Sequence, residues 1–120
     1  MAIERREIHD GSNGWPIFAR SVTRGDTVYL CGVVPDPGGD VRAQTRQVLA
    51  RIDALLAQAG TDKSKLLTAQ VWLKDMASFT ELNVEWNAWV DKQNPPVRAC
   101  VGAQLYHPDV LVEIMVTAAR

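Results

Sequence analysis

Two runs constrain this chain more than anything else in it: Pro95-Pro96-Val97-Arg98-Ala99-Cys100-Val101-Gly102-Ala103 and Leu111-Val112-Glu113-Ile114-Met115-Val116. The two prolines stop any helix from continuing into the first run, because proline lacks an N–H and pushes its predecessor out of helical dihedrals. The residues beyond them are apolar and strand-forming, yet each run encloses one charge, Arg98 in the first and Glu113 in the second. A guanidinium stays ionised at every ordinary pH and is rarely left in apolar surroundings unless an anion or a carboxylate meets it. The runs therefore predict sheet structure built around a carboxylate-binding site at Arg98.

The remaining periodicities supply the elements around that site. Strands are expected over residues 3–8, 17–23 and 27–33, separated by the loop Asp10-Gly11-Ser12-Asn13-Gly14 and the turn Arg24-Gly25-Asp26. Beyond Asp40, a fitting N-cap, Val41, Val48, Leu49, Ile52, Leu55, Leu56 and Ala59 recur at helical spacing, and Gly60 stops the helix. A fourth strand over 65–73 puts Ala69, Val71 and Leu73 on one face and Thr68, Gln70 and Trp72 on the other. Asp75 or Ser78 then opens a second helix carrying Phe79, Leu82, Trp86, Trp89 and Val90. Strands over 97–105 and 110–118, joined by Tyr106-His107-Pro108-Asp109, are expected to form an antiparallel hairpin. The order βββαβαββ is that of an α+β domain spanning 1–120, with two helices on one face of a mixed sheet.

Alternation sends Val97, Ala99, Val101 and Ala103 to one face of their strand and Arg98, Cys100, Gly102 and Gln104 to the other. The first set suits the core beneath the helices. In the last strand Val112, Ile114, Val116 and Ala118 join that core, which leaves Leu111, Glu113, Met115 and Thr117 opposite. A sheet face bearing Cys100, Gly102, Leu111 and Met115 is too apolar for open water, so it predicts a homo-oligomer that buries this face against another copy. In a symmetric hairpin Arg98 and Glu113 would stand about 13 Å apart along the strands, too far for a simple ion pair. Each is left to meet something in a cleft between subunits.

Other function classes find little support. Lys and Arg total 13 against 14 Asp and Glu, a net charge of -1, so no global field favours nucleic acid or an anionic membrane. Arg42, Arg46 and Arg51 read as the solvated face of a helix, because Asp53 interrupts them and no aromatic residues interleave. No apolar run is long enough to span a bilayer and no secretory leader is evident, so a cytoplasmic protein without a membrane partner is expected. Cys31 and Cys100 form no disulfide framework, and reduced thiols are expected. His9 and His107 lack ligand spacing with each other or with the cysteines, and Pro37-Gly38-Gly39 lacks the setting of a phosphate loop. Neither metal nor cofactor is expected.

Several motifs look familiar together: Gln44-Thr45-Arg46-Gln47-Val48-Leu49, the Gly60 break, Val71-Trp72-Leu73-Lys74-Asp75, Phe79 with Asn83 and Trp86, Pro96-Val97-Arg98-Ala99-Cys100-Val101, and Val112-Glu113-Ile114. Over residues 26–118 they resemble the RidA/YjgF family, most closely its YoaB branch. The resemblance implies a chorismate mutase-like fold, assembled as a homotrimer with clefts between subunits. It also implies hydrolysis of enamines and imines such as 2-aminoacrylate and 2-iminopropionate to 2-oxo acids and ammonia, with Arg98 clamping the substrate carboxylate and Glu113 orienting water. Cys31-Gly32-Val33-Val34-Pro35 resembles the family's Ser-Gly-x-x-Pro turn, which places Gly32, Cys100 and Val33 or Val34 at the pocket. Where RidA carries Gly-Pro-Tyr-Ser-Gln, this chain has Pro16-Ile17-Phe18-Ala19-Arg20, so Phe18 takes the tyrosine position without a hydroxyl. A trimeric binding protein for 2-oxo or related carboxylic acids is the competing reading, and Phe18 is the feature that favours it.

Overall fold

Asp40 opens the first helix, α1 (Val41–Gln58), as its sequence position predicts: its carboxylate accepts from the Ala43 N–H at 2.8 Å. Such a cap satisfies one of the four N–H groups that a helix start leaves unpaired. One apolar stripe of α1, Val41, Val48, Leu49, Ile52, Leu55 and Leu56, is buried. The second helix, α2 (Phe79–Trp89), buries Leu82 and Trp86. In the computed structural model, which describes residues 1–120, both helices lie on the same face of one six-stranded sheet.

The strands are β1 (Ile3–Asp10), β2 (Ile17–Arg24), β3 (Thr27–Leu30), β4 (Leu66–Leu73), β5 (Val97–Gly102) and β6 (Val112–Ala119). Their spatial order is β1-β2-β3-β6-β4-β5. Only β4 and β5 run parallel, and all other neighbours are antiparallel. The expected hairpin between the last two strands does not form: β6 inserts between β3 and β4, and β5 lies at the sheet edge against β4 alone. The reason is α2, which makes β4-α2-β5 a crossover unit, and crossovers join parallel strands. The connection from Gly102 to Val112 is consequently a loop that carries the chain past β4.

The core is Val28 and Leu30 of β3, Ala69, Val71 and Leu73 of β4, and Val112, Ile114, Val116 and Ala118 of β6, packed beneath the helices. Burying one such aliphatic side chain fully contributes roughly 1.5–3 kcal/mol. Gln44, buried in α1, secures the approach to β6. Its Nε2 donates to the carbonyls of Gly38 at 3.0 Å and Asp109 at 2.7 Å, and its Oε1 accepts from the Leu111 N–H at 2.7 Å.

The register of β5 reverses a second expectation. Arg98, Cys100 and Gly102 pair with the core residues Ala69, Val71 and Leu73, so they face the helices, whereas Val97, Ala99 and Val101 lie on the uncovered face. Val97 is 70% exposed and Val101 48%. Leu111, expected opposite the core, instead packs partly against it. The uncovered face is still rich in apolar groups: Tyr29, Trp72 and Met115 share it with Val97, Ala99 and Val101. The more apolar face of β5 is thus the uncovered one, which is why hydrophobicity assigned the two faces the wrong way round.

Candidate functional site

Arg98 sits in the middle of β5, and its side chain reaches back over α2. Its Nη2 donates to Asn83 Oδ1 at 2.8 Å, and its guanidinium carbon lies 5.2 Å from the Trp86 ring centre and 5.8 Å from that of Phe79. Phe79, Asn83 and Trp86 fall at helical spacing on one face of α2, which forms a shelf for the guanidinium. The amide is neutral and the rings contribute only their quadrupoles. No carboxylate pairs with Arg98, and its Nη1 is buried without a hydrogen-bond partner. A half-buried guanidinium with an orphaned donor has the chemistry to accept an anion through charge-assisted hydrogen bonds.

Cys100, two residues on, lies on the same helix-facing side and packs partly against the core. Burial pushes its thiol above the usual value, and the Arg98 charge draws it only partly back. It is therefore a thiol at neutral pH, with no histidine base, and reads as packing rather than as a nucleophile.

Glu113 occupies the opposite face of the sheet. It pairs with Trp72 in β4, three residues beyond the Ala69 partner of Arg98, and β4 itself lies between their strands. The two side chains are therefore separated by about 10 Å along the strands and about 10 Å across them, on opposite sides. One chain does not bring them together. Burial raises the Glu113 carboxyl above its ordinary value, and no cation pairs with it.

A bulge places Gly32 directly against Glu113. Tyr29 pairs with Thr117 and Val33 with Ile114, so the three residues 30–32 stand opposite only Met115 and Val116. The bridge is closed by Val33 N–H to Ile114 O at 2.8 Å and Ile114 N–H to Val33 O at 3.1 Å. An extra residue of this kind kinks its strand and re-aims the neighbouring groups. Here it keeps Val33 in the core while turning Gly32 so that any β-carbon there would overlap Glu113 Oε2. Phe18, Arg20, Cys31, Gly32, Val33 and Glu113 line one cavity of about 1100 Å³.

The expected site residues thus fall into two half-sites. Arg98 and Cys100 share the α2 side of β5, and Phe18, Gly32, Val33 and Glu113 line a separate cavity that Arg51, Ala54, Leu55 and Gln58 of α1 also border. Sequence reasoning missed three partners. Asn83 is legible only as a helical neighbour of Phe79 and Trp86, and Cys31 only as the residue before Gly32. Arg20 follows Phe18 by two positions and so shares its strand face, a signal present in the sequence but unused. No three His, Cys, Asp or Glu side chains converge, so these residues offer no ligand set for a metal ion.

Comparison with known proteins agrees with this architecture. The family described as Endoribonuclease L-PSP matches residues 16–120. A RutC family protein of Haemophilus ducreyi is 48% identical over 92 residues, 76% of this chain and 79% of the relative. The RutC family protein YoaB of Escherichia coli is 40% identical over 98 residues, 82% of this chain and 86% of YoaB. Among solved structures, a YjgF protein family member from Neisseria meningitidis superposes with a TM-score of 0.90 at 38% identity, covering 100% of this chain and 96% of that one.

Proposed function

This chain belongs to the RidA/YjgF family, and we propose that it is an enamine/imine deaminase that hydrolyses 2-aminoacrylate-type 2-imino acids to 2-oxo acids and ammonia. The observation that carries the reading is the uncompensated Arg98 guanidinium, with its orphaned Nη1 beside a neutral asparagine. The substrate carboxylate is the missing counter-charge. A planar fork holds it through two parallel hydrogen bonds and so fixes the plane of the adjacent C=N group. Because the Arg98 and Glu113 half-sites lie on opposite faces of one sheet, the active cleft forms only where one protomer presents Arg98 and its neighbour presents Glu113 and Gly32. The exposed apolar face of Val97, Val101 and Met115 supports the association, which we take to be a homotrimer of single-domain protomers spanning residues 1–120.

In this cleft Glu113, ionised, accepts a proton from a water molecule as its oxygen attacks the imine carbon. The C–O bond forms, the π electrons move to nitrogen, and the Glu113 carboxyl returns the water's proton to that nitrogen. In the resulting carbinolamine Glu113 passes the hydroxyl proton to the amino nitrogen, the C=O bond forms, and the C–N bond breaks to release ammonia and the 2-oxo acid. Positioning contributes much of the rate, since an imine is already electrophilic. The chemistry uses no metal or cofactor, and two free cysteines fit a cytoplasmic location. The nuclease in the family's description is not adopted for this chain: Arg46 and Arg51 pair with Glu85 and Asp36 rather than lining a track for RNA.

The decisive experiment generates 2-iminopropionate with an amino-acid oxidase and monitors pyruvate with and without the protein. Acceleration that disappears in Arg98→Ala supports the deaminase. A second reading, a carboxylic acid-binding protein without turnover, is favoured by Phe18, which supplies no hydroxyl to the cleft. It predicts no acceleration, but thermal stabilisation by pyruvate or 2-oxobutyrate that is lost in the same variant.

A further inference from the structure

Arg20 is a cation that the deaminase reading leaves unused. It comes from β2 two residues after Phe18, and its guanidinium carbon lies 5.3 Å from the centre of the Phe18 ring. It lines the same cavity as Gly32 and Glu113. It is half-buried, and none of the ion pairs of the chain includes it. The acid best placed to neutralise it is Glu7, which stands opposite it between the pairs Arg6–Ser21 and Ile8–Ala19. Glu7, however, has a φ of 50° in mid-strand and makes no ion pair. Cys31 stands beside both groups: its N–H donates to the Arg20 carbonyl at 2.9 Å, it precedes Gly32, and it lines the same cavity as Arg20 and Glu113.

The cavity is also larger than a three-carbon acid requires. On the protomer alone it measures about 1100 Å³, above the roughly 300–1,000 Å³ in which whole drug-sized ligands bind. Its aromatic residues are engaged with one another: Trp15 packs on Tyr106 at 5.2 Å, and His9 stacks on Phe18 at 5.9 Å. Of the two arginines that line the cavity, Arg51 is paired with Asp36, so Arg20 is the cation there that makes no ion pair.

We propose that Arg20 is a specificity-determining residue that binds a second acid group, so that the preferred substrates are dicarboxylic 2-imino acids with a carboxylate at the end of the side chain. This rests on the inter-subunit reading of the cleft: Arg98 of one protomer takes the carboxylate next to the imine, Glu113 of the other addresses the imine carbon, and Arg20 beyond it takes the distal group. A 2-oxo dicarboxylic acid leaves as product.

The test compares binding and turnover in wild type, Arg20→Ala and Arg20→Lys. Calorimetry with 2-oxoglutarate and 2-oxobutyrate gives the ratio of their dissociation constants, and glutamate or 2-aminobutyrate oxidised in situ gives the ratio of imine hydrolysis rates. In wild type the dicarboxylate is favoured by at least about 10-fold, the worth of a charge-assisted pair. The ratio collapses towards one in Arg20→Ala and recovers in part in Arg20→Lys, whose retained charge and thermal transition check that the fold is intact. A ratio near one in wild type, or the same ratio in all three proteins, overturns the inference. So does an Arg20 already paired with an acid of the neighbouring subunit, which gives that same invariant ratio. If neither imine is hydrolysed faster but the binding ratio still collapses, the deaminase reading fails and the second anion subsite stands.

Discussion

Replacing Gly32 by alanine isolates the role of the Glu113 carboxylate with a single methyl group. The backbone accepts the change, because Gly32 is not among the residues held at positive φ. At such a position alanine lowers the entropy of the unfolded chain and stabilises by about 0.4–1 kcal/mol. The new β-carbon, however, would overlap Glu113 Oε2 and lie 3.2 Å from Cδ and 3.6 Å from Cγ. The obstacle is the far end of a flexible side chain, so Glu113 turns away at a cost of about 0.5–1.5 kcal/mol. The two effects nearly cancel, and the melting temperature should stay within a few degrees of wild type. Activity should not survive. A carboxylate displaced by an ångström or more loses about 100-fold or more in the hydrolysis of 2-iminopropionate, read as pyruvate and ammonia release. Full activity in Gly32→Ala would refute the claim that Glu113 must sit against Gly32. Loss of folding would refute the claim that only a mobile side chain stands in the way.

The same geometry sets three further outcomes. Arg98→Ala should cost about 2–5 kcal/mol of transition-state binding, read in kcat/KM, while Arg98→Lys, which keeps charge but loses the fork, should still lose about 10-fold. Because burial raises the Glu113 carboxyl above its ordinary 4.5, the hydrolysis rate should rise with pH through a value higher than that as the base ionises. The folded state holds this proton more tightly than the unfolded chain does, so the stability the proton lends is complete below the unfolded value and lost as pH rises through the folded one. Glu113→Gln should therefore melt higher than wild type at pH 7, and the difference should vanish in acid; an equal or lower melting temperature at pH 7 contradicts the assignment. Leu82→Ala, which truncates a fully buried side chain of α2, should cost about 2–5 kcal/mol in urea unfolding.

Local features of this fold are written plainly in the chain. Asp40 caps α1 as its position implies, and the 3.6-residue stripe from Val41 to Leu56 is the stripe that is buried. The division of β4 into Ala69, Val71 and Leu73 against Thr68, Gln70 and Trp72 also matches the structure. What the sequence did not reveal is non-local. A short link between two strands favours a hairpin, but the β4-α2-β5 crossover takes precedence and sends β6 to the other side of β4. Periodicity separates two sets of residues without saying which set meets the helices. For β5 the choice by hydrophobicity failed, because Val97 and Val101 are apolar for the sake of an uncovered face, while polar Arg98 is carried by the Asn83, Trp86 and Phe79 shelf. The candidate site was legible as residue types, Arg98 and Glu113 within apolar strands. Its division between two faces was not, because that depends on sheet order. Arg20 escaped notice although its spacing from Phe18 puts both on one strand face; that it lines the cavity and has no ionic partner is visible only in the fold.

The central claim is that a working cleft takes Arg98 from one protomer and Glu113 from another, and mixing two inactive proteins tests it most directly. Arg98→Ala and Glu113→Gln, each inactive alone, are dissociated together, reassembled in equal amounts and assayed with 2-iminopropionate. Random assembly gives about one cleft in four an intact Arg98 facing an intact Glu113, so about a quarter of wild-type activity should return. If native mass spectrometry shows mixed assemblies of three times the 13.3 kDa protomer that contain both variants and no activity returns, the two groups do not act across the interface.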